Sequence, residues 1–545
     1  MKLVLEMVLA LLVAAGWAAQ MARWLRVLQR EHYDPSAPFR FLGRWSAPAV
    51  RSASAPNLRR DTRPSMFSFF PKVGRSKRSD EPRERRPFNF SLLWASLLVI
   101  FLLFRLDVGA ALVSVLYGLT SPAGLSLRGR TSKLVWTRRL RVVAALATVV
   151  ALALVVLGFV AGARWYGTVL AIWSVPAVLD LSTRCLEPYE AHQAQRFVAR
   201  ARQRLGQVHP RVVAITGSYG KTSTKNHLVE LLGPYAEVVA SPKSFNNRAG
   251  LSRAINEHLV DGTRVFIAEM GTYGPGEIRD LCSWCPPDIA VVTAIGPVHL
   301  ERMKTLETIE AAKHEITERA PVVVLNVDDE RLARWPDSLR HDGKRVVTAG
   351  SLDERADVRV RVEQSHWTII VEGAVVATFP APLSAQPTNV ACALAVAWVL
   401  GESPADLAGR VTTLQPVDSR QNVVTAPSGV VVIDDTFNAN PQSARAALDL
   451  LASLDVAGRR VVVTPGIVEL GRQQYQENLL LARRVAALGC ELVVVSRTNA
   501  VALMAGFGEG VRRFDERDEA VAWARKSLHD GDAVLYLNDL PDHYP

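Results

Sequence analysis

The stretch VVAITGSYGKTSTK, residues 212–225, constrains the fold of this chain more than any other. Val212, Val213, Ala214 and Ile215 read as a buried strand, Gly217 and Gly220 mark a turn, and Lys221, Thr222 and Ser223 open a helix. A strand, a glycine turn and a helix N-terminus make a phosphate cradle. Backbone N–H groups point at the anion, the helix dipole favours it, and a Lys ammonium adds a point charge. Gly217, Ser218, Gly220, Lys221, Thr222 and Ser223 are therefore the candidate phosphate-holding residues. The longer form G-x-x-x-x-G-K-[ST] would need Gly at position 215, where this chain has Ile, so a T-G-x-x-G-K-T loop is used instead.

Residues 1–209, ahead of the cradle, have a different character. A length of 545 residues predicts two or three domains. The net charge of +11 is unevenly placed: residues 1–210 hold 30 Lys/Arg against 11 Asp/Glu, and residues 211–545 hold 34 against 42. The second part is mildly acidic, so the overall charge gives no argument for a nucleic-acid partner. Four apolar stretches, at 3–22, 91–119, 142–161 and 165–181, predict transmembrane helices. Arg105 and Asp107 interrupt the second, which suits the turn of a short re-entrant hairpin or a pair inside a helix bundle. Basic loops at 23–90 (Arg59, Arg60, Arg83, Arg85, Arg86) and 120–141 (Arg128, Arg130, Lys133, Arg138, Arg139, Arg141) belong on the cytoplasmic side. A hairpin at 91–119 and an outside N-terminus satisfy both loops and leave the cradle in the compartment that holds ATP.

Residues 1–22 share features with a signal peptide, but Glu6 and the arginines that follow favour an uncleaved anchor. The expected layout is a transmembrane helix at 1–22, a basic disordered linker at 23–90, a transmembrane region at 91–185 and a connecting helix at 186–209. Localisation follows as a multi-pass cell-membrane protein with cytoplasmic catalytic domains. Five cysteines make no disulfide framework. The CSWC pair, Cys282 and Cys285, has no second pair at zinc spacing and reads as reduced thiols packed on a helix.

Downstream of the cradle, Glu269 ends the apolar strand VFIAE, the usual place for a magnesium-organising carboxylate, and Thr222 offers a second oxygen. From about residue 410, strands such as VVVIDD, RVVVTPG, ELVVVS and AVLYL alternate with helical stretches, the βαβ pattern of a parallel sheet. The fold class expected is α/β: N-terminal transmembrane helices, a P-loop ATPase central domain at 210–409 and a Rossmann-like domain at 410–545.

The ordered set TGSYGKTS, NNRAG, EMGTYGPGEI, IGPVHLE, AAKHEI, IDDTFNANPQS and PGIVELG resembles the Mur ligase family, most of all its MurF type, the UDP-N-acetylmuramoyl-tripeptide D-alanyl-D-alanine ligases. The resemblance covers about residues 210–545. It implies two domains that close over ATP and join a carboxylate to an amine through an acyl phosphate. It further implies that Lys221 holds phosphate and that Thr222 and Glu269 hold one Mg2+. His299 resembles the ligand of a second Mg2+, and Lys313 resembles a lysine that is carbamylated. Asn246 and Asn247 then lie at the acyl-phosphate end, with turn residues as the alternative. Asn389 lies at the adenine, with helix capping as the alternative. Arg420 reaches the phosphates, Asp435 reaches the ribose or orients the amine, and Asn438 and Asn440 share its loop; Asp434 is equally a solvated carboxylate. Two departures from the family pattern are Ala385, where His is frequent, and Ser419, where Gly is common.

Ordinary members of that family begin with a soluble domain that grips UDP, a place taken here by the apolar and linker segments. The expected partners are ATP, membrane lipid, and a cell-envelope precursor whose carboxylate meets the amine of an amino acid or dipeptide. A lipid-linked precursor is one such donor, because confinement to the bilayer surface raises its effective concentration. A membrane-bound synthetase of an amide-linked polymer such as poly-γ-glutamate, or a nucleotide-binding envelope scaffold, are the alternatives. Intact Lys221, Glu269, His299 and Lys313 weigh against the scaffold.

Overall fold

The computed structural model describes residues 2–30, 33, 39, 41, 90–103, 107–121, 125, 127, 134–233, 237–242, 245–363, 366–382, 385–414, 422–436 and 439–540. They form two compact units, residues 1–186 with 540–545, and residues 187–539. Most of the expected linker, residues 42–89, lies outside the described residues, as do Arg105, Arg420 and Asn438.

The first unit is helical: α1 (Lys2–Arg30), α2 (Phe90–Leu103), α3 (Asp107–Thr120), α4 (Arg138–Val160), α5 (Arg164–Trp173) and the first part of α6 (Val175–Val208). The first helix does not stop at Ala22; residues 23–30 are helical rather than linker. Arg23 explains the continuation. Its buried guanidinium donates to the carbonyls of Gly118, Leu119, Ser121 and Leu125, taking up the unpaired end of α3. The hairpin expected at 91–119 is formed by α2 and α3: the Trp94 indole donates to Thr120 Oγ1 at 3.0 Å, joining the start of one helix to the end of the other.

Among the described residues, two helices, α1 from Glu6 and α4, are long and apolar enough to cross a membrane, or three if the bent pair α5 and α6 is one span. The fourth apolar stretch is broken rather than continuous, with α5 and α6 meeting at 65°. Pro176 accounts for the break, since it lacks the N–H that would continue the α5 hydrogen-bond ladder. The expected connecting helix is no separate element either, for α6 runs unbroken through Pro188 to Val208.

The second unit holds two sheets. The larger runs in the order β2 (Val238–Ala240), β3 (Val265–Glu269), β1 (Arg211–Thr216), β4 (Ile289–Val292), β5 (Val322–Asn326), β6 (Arg345–Gly350), β7 (Val358–Glu363), β8 (His366–Val371) and β9 (Ala374–Pro380). It is parallel through β7 and antiparallel from β7 to β9. Its helices are α7 (Lys221–Leu232), α8 (Arg248–His258), α9 (Glu277–Trp284), α10 (Leu300–Met303), α11 (Leu306–His314), α12 (Pro336–His341), α13 (Pro387–Leu400) and α14 (Pro404–Val411).

Alternation along β1 divides the core. Val212 and Ala214 pack with α8, α9 and the end of α6, whereas Val213 and Ile215 pack with α7 and α13. Residues Val390–Ala397 of α13 are fully buried, as expected of a helix apolar on every face. Cys282 and Cys285 lie in the first of these cores as buried free thiols, their protonated form favoured by burial.

The smaller sheet runs β10 (Asn422–Thr425), β11 (Val431–Asp435), β15 (Ala533–Leu537), β12 (Arg460–Thr464), β13 (Glu491–Val495) and β14 (Arg512–Phe514). Only β10 is antiparallel to its neighbour, and α15 (Pro441–Ser453), α16 (Gln474–Ala487), α17 (Ala500–Phe507) and α18 (Arg517–Ser527) complete the doubly wound layers.

Candidate active site

The cradle is built at the end of β1. Gly217 and Gly220 both have positive φ, 154° and 77°, and a Cβ on either would strike a neighbour, Thr293 Oγ1 for the first and Asn389 Oδ1 for the second. Ser218 anchors the loop, its N–H donating to the Ala294 carbonyl at 2.7 Å and its hydroxyl to the Gly296 carbonyl at 3.0 Å. Gly220 is the N-cap of α7 and supplies no side-chain cap, so the helix presents its first N–H groups, from Lys221, Thr222 and Ser223, to the loop. Lys221 bends back over the turn, donating from Nζ to the Gly217 carbonyl at 2.6 Å.

Asn389 is the third residue of α13 and does not cap it; Gln386 is the N-cap. Its Oδ1 lies beside Gly220 and accepts from Thr224 Oγ1 at 3.5 Å. It therefore stands at the cradle, where a nucleotide-binding residue is expected. Ala385 lies just ahead of α13, half-buried against its core.

Glu269, 4% exposed, is the most heavily braced carboxylate of the site. Its Oε2 accepts from Thr222 Oγ1 at 3.1 Å and pairs with Lys225 Nζ at 3.1 Å, and its Oε1 accepts from Asn246 Nδ2 at 3.3 Å. Burial alone would raise this carboxyl; Lys225 and Lys221 outweigh it and hold the group below its ordinary range. Lys225, which also donates to the Ser241 carbonyl at 2.9 Å, is not among the residues the sequence singled out. The available signal was its place four residues after Lys221, on the same face of α7. Asn246 thus reaches the site, while Asn247 spends its side-chain oxygen capping α8.

Lys313, on α11, is 3% exposed and makes no hydrogen bond or ion pair among the described residues. Burial, reinforced by the Lys221 ammonium, pushes its pKa well below the usual lysine range and favours the neutral amine. His299 sits at φ 54° just before α10, its ring edge-on to Tyr273. Its Nδ1 lies 2.6 Å from Oε2 of Glu469, a residue of the smaller-sheet domain that itself has φ 64°. Glu469 is the second residue the sequence reading missed, although its motif PGIVELG was noted.

The smaller domain contributes less that is fixed. Asp435, 3% exposed, ends β11, while Asp434 accepts from the N–H and hydroxyl of Thr436. Asn440 is the N-cap of α15, its side-chain oxygen taken by Gln442 and Ser443. Among the described residues, no three His, Cys, Asp or Glu side chains gather at one metal-sized point. The donor set around Glu269 is one carboxylate and one hydroxyl at 3.1 Å, which suits Mg2+ that keeps waters and shares phosphate oxygens.

Residues 215–397 match the model of the Mur ligase middle domain, and residues 419–537 match that of the Mur ligase glutamate ligase domain. The UDP-N-acetylmuramoyl-tripeptide–D-alanyl-D-alanine ligase of Mycobacterium tuberculosis is 33% identical over 360 residues, covering 59% of this chain and 69% of that protein. The enzyme of the same name from Bacillus subtilis is 31% identical over 275 residues, covering 50% and 59%. A solved MurF ligase from Thermotoga maritima in complex with ADP superposes with a TM-score of 0.56 at 25% identity, over 64% of this chain and 80% of that one. These likenesses lend no support to the polymer-synthetase or scaffold readings, nor to a lipid-linked donor or a membrane-lipid partner.

Proposed function

The chain belongs to the Mur ligase family of ATP-dependent amide ligases, and from that premise we propose that it joins an amino-acid or dipeptide amine to the carboxylate of a lipid-linked peptidoglycan precursor at the membrane. Lys221 and the α7 N–H groups hold the ATP phosphates. A donor carboxylate oxygen attacks the γ-phosphorus, and the bond to the β-γ bridging oxygen breaks, its electron pair leaving with ADP. The amine nitrogen then attacks the carbon of the acyl phosphate, loses a proton, and expels phosphate to leave the amide.

Two anions must meet for the first step, so the site needs concentrated positive charge. Lys221 and Lys225 supply it from one helix face. Mg2+, when bound, would neutralise charge on the γ-phosphate; Thr222 and Glu269 would hold one ion, and His299 with a carbamylated Lys313 would hold another. Only a neutral amine adds CO2, and the burial of Lys313 beside the Lys221 ammonium shifts its pKa toward that form. Arg420 and Asp435 act from the second domain, on the phosphates and on the ribose or amine.

The observation that carries the reading is the uncapped N-terminus of α7 facing a buried Glu269 already held by Thr222. The lipid link rests on the two helices long and apolar enough to cross a bilayer. The test is mass spectrometry of products from the detergent-purified full chain with ATP, Mg2+, bicarbonate, D-alanyl-D-alanine, and either UDP-N-acetylmuramoyl-tripeptide or its lipid-linked counterpart. Product from the lipid-linked donor, absent with Lys221→Ala, is the expected result. Turnover of the UDP-linked donor alone would remove the lipid link, and turnover of neither would sink the assignment.

A further inference from the structure

A cleft of about 550 Å³ opens between the end of α6 and the helices α8 and α9, away from the nucleotide loop. Gln195, Arg202 and Gln203 line it from one face of α6, at the i, i+7, i+8 spacing that aligns side chains on a helix. Arg248, the first residue of α8, and Trp284, the last of α9, line it opposite them. Its size is that of a small-molecule site.

The chemistry of the lining is one-sided, since none of its residues is acidic. Arg202 makes no hydrogen bond or ion pair among the described residues. Arg248 commits NH1 to Asp280 at 2.9 Å, yet its Nε is buried without an acceptor. Trp284 is 4% exposed, and its Nε1 also has none. Buried N–H groups are normally paired because leaving one unmade costs the full desolvation of the group. Two such donors and an unpaired guanidinium around one cleft describe a site for an oxyanion.

The location says whose oxyanion it is. Arg248 follows Asn246 and Asn247, and Asn246 Nδ2 contacts Glu269. One wall of the cleft therefore starts two residues from the amide at the reacting end of the site. We propose that this cleft binds an oxyanion of the acyl donor other than the carboxylate that reacts, so that α6 performs part of the donor-gripping work. This rests on the ligase reading above.

The test measures binding and turnover separately on the full chain. Arg202→Ala removes an exposed guanidinium, and Trp284→Phe removes one N–H while keeping the ring. Equilibrium binding of UDP-N-acetylmuramoyl-tripeptide should weaken about tenfold in the first variant and about threefold in the second. The donor KM should rise in parallel, while kcat and the affinity for a non-hydrolysable ATP analogue stay unchanged. Repeating the titration with the free tripeptide and with UDP-N-acetylmuramic acid separates the sources: a loss confined to the first assigns the cleft to a peptide carboxylate, a loss confined to the second to the diphosphate. Unchanged donor affinity in both variants overturns the inference, even if wild-type protein forms product. Absence of product from wild type would sink the ligase reading alone, because the binding titration still decides the cleft.

Discussion

The two domains of the catalytic body finish their parts of the site in different ways. In the nine-stranded domain, Glu269 is fixed by Thr222, Asn246 and Lys225, and every one of these partners belongs to the same domain. In the six-stranded domain, Asp434 accepts from the N–H and hydroxyl of Thr436 in its own loop, and Asn440 caps its own helix. Its reach across to the first domain comes through Glu469 on His299 and through Gly471, where an added Cβ would touch Leu300. The first half is a finished binding surface, and the second is a set of groups whose value depends on approach.

That contrast is open to direct attack. The largest expected effect is from Lys221→Ala, which should lower product formation by about a thousandfold while the fold, followed by circular dichroism, is kept. Next comes Lys225→Met, which strands a buried carboxylate and should cost about 3–5 kcal/mol. Adding Glu269→Gln should return much of that loss in a thermal melt of the full chain, whereas equal melts for single and double variants would show that the pair is not the brace described.

His227, buried on α7 with Nδ1 unpartnered, tests the same domain by pH. Burial lowers its pKa from 6.5 to about 4, so the unfolded chain binds the proton first as pH falls. Its stabilising contribution is complete above about pH 6.5 and should be lost toward pH 4, about 3 kcal/mol in all. His227→Leu should flatten that part of the stability curve. The smallest effect belongs to the second domain. Glu469→Gln should weaken Mn2+ binding in the presence of an ATP analogue by about 10- to 100-fold, read by electron paramagnetic resonance, because the carboxylate that orients His299 is gone. Equal affinity would make Glu469 a simple interdomain contact.

Most of the first half was legible from residues alone. The strand, glycine turn and lysine are a local pattern, and Glu269 was found by its place at a strand end. Lys225 escaped because its partner Glu269 lies on a distant strand, and its place four residues after Lys221 puts it on the same face of α7 without saying what it meets. Glu469 escaped for the same reason across a longer distance. In the helical unit, Arg23 was read as the start of the basic linker, since its acceptors are backbone carbonyls that no side-chain pattern announces. Asn247 and Asn440 are motif positions expected at the substrate, and here their side-chain oxygens are engaged as helix caps, the turn role kept as the alternative for Asn247.

The placement of α13 also matters for how the protein is made. Val213 and Ile215 of β1 are covered by α7 and by α13, a helix that lies far downstream, and Thr224 and Asn389, which meet at the cradle, are separated by 165 residues. At a synthesis rate of roughly 5–20 residues per second, that face of the sheet waits on the order of 10–30 s for its cover to leave the ribosome. The parallel strands of the larger sheet thus emerge as an apolar surface without its lid. A ribosome stalled before residue 387 should hold a nascent chain that depends on chaperones, and one stalled after α13 and α14 have cleared the exit should not.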